Sequence, residues 1–586
     1  MLVKAGKGLW RSVRKPGMPL GMLLAVGVGM GAGLGAVLFR WLILTSQSLL
    51  FGGAERLLGF AGPYGLIAVP AVGGLIVGLL VTFFAKEAKG HGVPEVMLAV
   101  AKKGGRIRTR VAAVKILASA VCIGSGGSVG REGPIVQIGA GLGSALGQLF
   151  RLPTVWLRTL VGCGASAGIA ATFNAPIGGC FFTMELLFRS FATRGFAFVV
   201  VSAVVGNLVA FQFLGNSPAF TVGNIYRLSD VRELLLYAGL GVLTGLVGTA
   251  FLRVLHFSED FFERVRRVPE WVKPALGGLG VGVIALYSPD LFGVGYGETP
   301  WKSTMSLDHA LAGSIPLKAL LCLVVLKILA TSLSIGSGGS GGVFAPALFL
   351  GAMVGGVAGI AAEHLFPGAS AGEGGYALVG AAALFAGVAR APITSVVMIF
   401  ELTRNYALIM PVMIAVVIAT GVVRLLSRET IYTEKLMRRG VDLLKMGRAE
   451  LVSGVPVGAV MDTDFPTVRE TLSLKELANR LVELGHHGFP VLDEQDKLCG
   501  VVAREDVQAA EARGLPPETP VGEFCSRSVI TAFPDETLVE VMARAGDADI
   551  GRVPVVDPDD ERRLLGVLRR QGVIEAWRLA MAGKHA

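Results

Sequence analysis

One carboxylic acid stands out by its setting. Glu132 lies in Gly130-Arg131-Glu132-Gly133-Pro134, between long apolar runs. An ionisable group at membrane depth is costly, so it is read first as part of an ion or proton path. It also stands where a helix should restart after a glycine break. An acid near a helix N-terminus often serves only as a cap or dipole partner. Aimed at an anion site, the same carboxylate would occupy that site, and protonation would release it. Such a group gates an anion path and couples anion movement to proton movement.

Two further segments share this design. Gly90-His91-Gly92-Val93-Pro94 and Gly341-Gly342-Val343-Phe344-Ala345-Pro346 each break an apolar run with glycine and close the break with proline. Glycine lets the backbone turn sharply and approach a ligand. Proline fits the first helical turn, where its missing N–H costs nothing. Each restarted helix offers unpaired N–H groups and a positive dipole end, a ready anion site. Several such ends would hold a small anion without a full cationic side chain, so the ion could still leave. Small residues also favour close helix packing in membranes, which suits the glycines at 139–147 but not three breaks each closed by proline. Gly336-Ser337-Gly338-Gly339-Ser340-Gly341 matches GxGxxG, yet no βαβ unit surrounds it, so a dinucleotide fold is rejected.

The elements that must position these segments are membrane helices. Of the 586 residues, 52% are hydrophobic and only 17% charged, against about a quarter charged in soluble domains. Uncharged runs at 66–84, 234–252 and 407–423 approach the roughly 20 residues that cross a bilayer. The net charge is +10. Its clusters are Lys4, Lys7, Arg11, Arg14 and Lys15; Lys102, Lys103, Arg106, Arg108 and Arg110; and Lys435, Arg438, Arg439 and Lys445. Basic residues beside membrane segments mark the cytoplasmic side. No basic stripe interleaved with aromatics points to nucleic acid. The six cysteines form no CxxC pair, which speaks against a disulfide framework or thiolate metal site. No small-residue cleavage site follows the first apolar run, so no signal peptide is read.

Both regions of the chain repeat internally. Ile123-Gly124-Ser125-Gly126-Gly127-Ser128 recurs as Ile335-Gly336-Ser337-Gly338-Gly339-Ser340. Ala175-Pro176-Ile177 and Met184-Glu185-Leu186 are echoed by Ala391-Pro392-Ile393 and Phe400-Glu401-Leu402. Paired, glycine-interrupted halves indicate a transporter with its binding site near the midplane. After residue 447 the chain changes to short strands and amphipathic helices. Residues 488–492 and 500–502 read as strands, and 472–484 as a helix. Gly488-Phe489-Pro490-Val491-Leu492-Asp493 recurs as Arg552-Val553-Pro554-Val555-Val556-Asp557, and Gly500-Val501-Val502 as Gly566-Val567-Leu568.

The three glycine segments, with Phe173-Asn174-Ala175-Pro176 and Ile431-Tyr432, resemble the signature segments of the CLC chloride channel and transporter family, in the right order over residues 18 to 440. The tail resembles a pair of cystathionine-β-synthase (CBS) domains. The resemblance implies an all-α polytopic membrane domain, residues 1–447, built from inverted repeats at about 18–215 and 230–440. An α/β CBS pair would follow at 448–586, with motifs at 455–512 and 519–580. It implies a homodimer in the bacterial inner membrane, with one anion path per subunit and both the N-terminus and the tail cytoplasmic. Glu132 would be the gate. His91, Gly92, Gly130, Arg131, Val343, Phe344 and Tyr432 would bind the anion, Val343 and Phe344 through backbone N–H groups and Tyr432 through its hydroxyl.

Two positions depart from the family pattern. His91 replaces the usual serine, and its imidazole brings its own pH dependence. Leu186 occupies the place of the inner proton-donating glutamate, so either Glu185 or water serves instead, or coupling is weak or absent. The expected function is therefore chloride/proton exchange, with a passive voltage- or pH-gated channel as the alternative. CBS pairs often bind adenine nucleotides. Here Val502 and Asp506 match that pattern, but Ala503 replaces the hydroxyl residue, and Arg569 and Gly572 replace both key residues in the second motif. A structural or dimerising tail is an equal expectation. Arg569 and Arg570 read as a solvated basic face, and His486-His487 as a turn rather than a metal site. No cofactor or metal is expected. An enzyme would show a nucleophile with its base or a phosphate loop, and a cation path would show rings of carboxylates. Neither is present in the sequence.

Overall fold

The computed structural model describes residues 18–191, 195–216, 220, 226, 231–297, 301, 303–365, 371–441, 456–485, 487–545, 552–558 and 560–569. The basic residues before Met18, together with Lys445, His486, Arg570 and Gly572, lie outside the described residues. The chain divides into two compact units, 1–441 and 442–586. The expected boundary at 447 falls in the undescribed stretch 442–455.

The first unit is helical. Its first half contains α1 (Met18–Leu58), α2 (Ala68–Phe84), α3 (Val93–Lys102), α4 (Thr109–Gly124), α5 (Glu132–Leu149), α6 (Thr154–Phe173), α7 (Pro176–Phe182) and α8 (Phe196–Leu214). The second half contains α9 (Glu233–Arg264), α10 (Lys273–Ile284), α11 (Leu307–Leu311), α12 (Leu317–Gly336), α13 (Phe344–Leu365), α14 (Glu373–Ala389), α15 (Pro392–Thr403) and α16 (Ile409–Leu426), followed by the short α17 (Glu434–Arg438). Among the described residues, seven helices are long and apolar enough to cross a membrane.

The halves correspond element by element. α5 packs on α6 as α13 packs on α14, and α1 packs on α8 as α9 packs on α16. Chain breaks recur at matching places: Asn174 and Arg390 end α6 and α14 in the left-handed conformation, each before an Ala-Pro. Small residues allow the close crossings. A Cβ on Gly139 would meet the Gly164 carbonyl oxygen at 2.0 Å, and one on Gly351 would meet that of Gly380 at 2.3 Å. The packing role expected for the glycines at 139–147 therefore holds.

Two half-buried acids join the halves reciprocally. Glu185, just past α7, accepts from the N–H groups of Ile393 and Thr394 (3.1 and 2.7 Å) and from the Thr394 hydroxyl (2.6 Å). Glu401, in α15, accepts from the N–H groups of Ile177 and Gly178 (3.0 and 2.6 Å). Each carboxylate caps the helix start of the other half, where orphan N–H groups need an acceptor. Residue i touching j′ while j touches i′ is the signature of a two-fold axis.

In the second unit, β1 (Val468–Arg469), α18 (Leu474–Glu483), β2 (Gly488–Leu492), β3 (Leu498–Ala503) and α19 (Arg504–Ala512) form the first motif. α20 (Val521–Phe524), α21 (Leu538–Ala545), β4 (Arg552–Val556) and β5 (Leu564–Arg569) follow. β1 pairs parallel with β2, and β2–β3 and β4–β5 are antiparallel hairpins. Lead segments cross over: Asp462 bridges to Val567 of the second hairpin, and Ser526 to Val501 of the first. Arg562 and Asp493 (2.6 Å) tie the motifs together. The Lys497 and Gln495 N–H groups, helped by Arg562, hold the Asp493 carboxyl below its usual range.

Removing one of the reciprocal caps should weaken the joint between the halves. Glu185→Gln and Glu401→Gln should each cost about 1–3 kcal/mol, measured as loss of thermal stability of the purified protein in detergent. Glu185→Asp, which keeps the charge, should recover part of the loss.

Candidate functional site

The glycine segments meet on the repeat axis. The Gly130 N–H donates to the Gly342 carbonyl (2.7 Å), and the Gly342 N–H donates to that of Gly130 (2.6 Å). These two residues are repeat counterparts, seven positions after Ile123 and Ile335, and their pairing is antiparallel. A second bridge joins Gly90 to Ser340. Ser119 meets the Ser340 hydroxyl (2.9 Å), just as Thr331 meets that of Ser128 (3.3 Å). Three helices start around this knot at Val93, Glu132 and Phe344, which are the restarts expected from the sequence.

Glu132 is buried, with 1% of its surface exposed. Its Oε1 accepts from the N–H of Phe344 (2.5 Å) and from that of Ala345 (3.4 Å). One half's acid thus occupies the helix end of the other half. Its Oε2 has no hydrogen-bond partner among the described residues. Phe344 is held by Phe173 (ring centroids 5.4 Å apart) and Phe385 (4.4 Å). The Tyr432 hydroxyl is also buried, with no partner among the described residues. Arg131 lies over the rings of Phe173 (5.3 Å) and Tyr296 (5.5 Å). It lines a cavity of ≈ 350 Å³ together with Asn174 and Trp301.

The remaining expected residues gather here too. Val343 is buried beside Phe344. Gly92 has φ +81°, and a Cβ there would meet the Gly133 carbonyl oxygen at 2.6 Å. His91 is buried; its Nε2 lies 3.8 Å from Glu259 Oε1, and its Nδ1 has no partner among the described residues.

Sequence reasoning missed two buried lysines. Lys115 donates to the carbonyls of Ala88 (3.0 Å) and Gly90 (2.6 Å). Lys327 donates to those of Leu291 (3.1 Å) and Gly293 (3.4 Å). Each lysine stands eight positions before the repeated Ile-Gly-Ser, so the repeat itself held the signal. Both lysine side chains hold glycine loops beside the helix starts. The Gly293 loop is the second half's counterpart of the His91 segment.

Glu185, considered as a substitute proton donor, is committed to its cap on α15, and Leu186 is buried. In the tail, Val502 lies in the core of the first motif. Asp506 accepts from the Ala503 N–H (2.7 Å), capping α19. Arg569 is no solvated face: it pairs with Asp462 (2.7 Å). Among the described residues, no cluster of His, Cys, Asp or Glu is arranged to hold a metal.

Residues 73–424 match the family model described as voltage gated chloride channel, and residues 457–513 and 521–578 match that of the CBS domain. An H(+)/Cl(-) exchange transporter, ClcA, of Salmonella arizonae is 33% identical over 447 residues, covering 74% of this chain and 92% of that protein. The chloride channel protein CLC-f of Arabidopsis thaliana is 29% identical over 584 residues, covering 87% of this chain and 73% of that protein. Among solved structures, a slow cyanobacterial Cl-/H+ antiporter superposes with a TM-score of 0.64 at 26% identity, covering 72% of this chain and 97% of that one.

Gly133 is where the segments touch most closely. A Cβ there would meet the His91 carbonyl oxygen at 1.9 Å and Gly342 Cα at 3.0 Å. Backbone blocks both directions, so Gly133→Ala should cost about 3 kcal/mol. The check is the yield of monodisperse protein on size-exclusion chromatography together with its melting temperature.

Proposed function

Because the chain belongs to the voltage-gated chloride channel family, integral membrane proteins that move chloride, and ends in two CBS domains, we propose that it exchanges chloride for protons through a path gated by Glu132. One observation carries this reading: the Glu132 carboxylate is bonded to the N–H of Phe344 at a helix start. An ionised carboxylate and a chloride ion compete for the same donors. Protonation removes the charge that the helix end holds, because N–H bonds to a neutral acyl oxygen are about half as strong. The neutral side chain then yields to the anion. When it returns to the site as a carboxylate, its proton has been released.

His91, Gly92, Gly130, Arg131, Val343, Phe344 and Tyr432 line the proposed anion path. Phe344 donates its N–H once Glu132 has left, and the Tyr432 hydroxyl, without a partner among the described residues, is poised to donate from the inner side. Lys115 and Lys327 hold the loops and set the field without touching the ion. A second reading is a passive channel, favoured by the buried Leu186 where the family's inner proton donor stands.

We place the protein as a homodimer in a bacterial inner membrane, with the basic loop at 102–110, the N-terminus and the tail on the cytoplasmic side. The membrane domain takes residues 1–447 and the CBS pair 448–586. We read the tail as a structural or dimerising module. Asp506 already serves as a cap, and Ala503 offers no hydroxyl to an adenine nucleotide.

Purified protein in chloride-loaded liposomes, with the membrane potential clamped, tests the proposal. A chloride gradient should drive protons against their own gradient; chloride flux without proton movement would establish the channel. In wild-type protein, chloride flux should rise as pH falls and Glu132 takes up its proton. Glu132→Gln, a fixed neutral gate, should remove that pH dependence and abolish proton movement. Gly130→Ala gives an independent check. The three atoms nearest its Cβ would be Glu132 carboxyl atoms, at 2.2–2.5 Å. The flexible side chain should swing away and leave chloride flux insensitive to pH.

A further inference from the structure

We propose that Glu259 and His91 form the inner half of the proton path, taking the place of the acid that Leu186 replaces; this rests on the exchange reading above. Glu259 lies in α9, near its end, and is largely buried, with 18% of its side chain exposed. Its Oε1 lies 3.8 Å from His91 Nε2, a small adjustment from hydrogen-bond distance. His91 is 3% exposed, and its other nitrogen, Nδ1, has no hydrogen-bond partner among the described residues. The backbone of His91 abuts the first turn of the Glu132 helix, since its carbonyl oxygen fills the place of a Gly133 Cβ. One acid therefore faces one side of an imidazole whose own loop touches the gate.

Imidazole conducts a proton because it accepts on one nitrogen and releases from the other. Glu259, protonated from water, gives its proton to His91 Nε2. The imidazolium releases its Nδ1 proton across the anion site to the Glu132 carboxylate. Glu259 is left ionised to take the next proton, and a ring flip restores the His91 tautomer. Each group gains and loses one proton per cycle, and no net charge is stored.

Charged groups of both signs surround this pair. Lys435, His256 and Lys115 face His91, as Glu259 does. Lys435, Arg438, Glu263 and Lys89 act on Glu259. His256 is itself paired with Glu434, and Lys435 donates to the Lys89 carbonyl (3.2 Å). Glu185, the other candidate acid, already accepts three hydrogen bonds at its helix cap.

The test is the pair of fluxes, proton and chloride, measured on the full-length protein in liposomes. Glu259→Gln should slow chloride-driven proton movement by roughly tenfold or more, while chloride flux persists. Glu259→Asp should restore part of the proton flux. His91→Ser should lower the ratio of proton to chloride flux. If Glu259→Gln moves protons as fast as wild type while Glu132→Gln does not, the relay is wrong and exchange stands. If both fluxes of Glu259→Gln fall in proportion and its melting temperature falls with them, Glu259 is structural and the relay is overturned. If wild-type protein moves chloride but no protons, exchange and relay fall together.

Discussion

Two short hydrogen bonds between Gly130 and Gly342 join a residue to its own repeat counterpart. Antiparallel pairing of equivalent residues places a two-fold axis between them, and every other symmetric contact follows from that axis. The serine and threonine bridges, the buried lysines and the reciprocal caps lie in pairs around it. At Gly342 a Cβ would press on the Gly133 backbone nitrogen at 2.8 Å, so the crossing needs glycine there. The three helix starts at Val93, Glu132 and Phe344 meet around this knot: Glu132 reaches the Phe344 N–H, and Gly92 and Gly342 lie against Gly133.

On this near-symmetric scaffold, the chemistry comes from the departures from symmetry. Glu132 and Phe344 are counterparts, nine positions after Ile123 and Ile335. One supplies a carboxylate, and the other supplies the N–H that holds it. Two acids would repel each other on the axis, and two phenylalanines would leave the helix ends without an internal ligand. His91 is matched by Val294 in the Gly293 loop, so a second titratable group also falls on one side alone. The symmetry builds the site, and its violation gives the site a direction.

Much of this was legible in the sequence because glycine and proline act locally. The restarts at Val93, Glu132 and Phe344 follow from chain punctuation. The gathering of His91, Glu132, Phe344 and Tyr432 followed from motif resemblance, since nothing local ties residue 91 to residue 432. Other features depend on partners distant in the chain and could not be read from spacing. Glu185 and Glu401 look alike as isolated acids, and only the fold shows that each caps the other half. Lys115 and Lys327 read as ordinary breaks in apolar runs, although their shared offset from the Ile-Gly-Ser repeat was available. Arg569 looked like an exposed basic residue because Asp462, its partner, precedes it by a whole motif.

The reciprocal caps also bear on how the chain is made. Glu401 trails the helix start it caps by 224 residues, which at cellular synthesis rates is a delay of about 10–45 seconds. During that interval the first half sits in the bilayer with the N-terminus of α7 uncapped and its glycine loop without Gly342 to pair with. Both defects expose backbone N–H groups to a medium that offers no acceptor. The nascent first half therefore has to be held by the insertion machinery, by lipid headgroups or by water until the second half arrives. A ribosome pause before residue 401 would lengthen that interval.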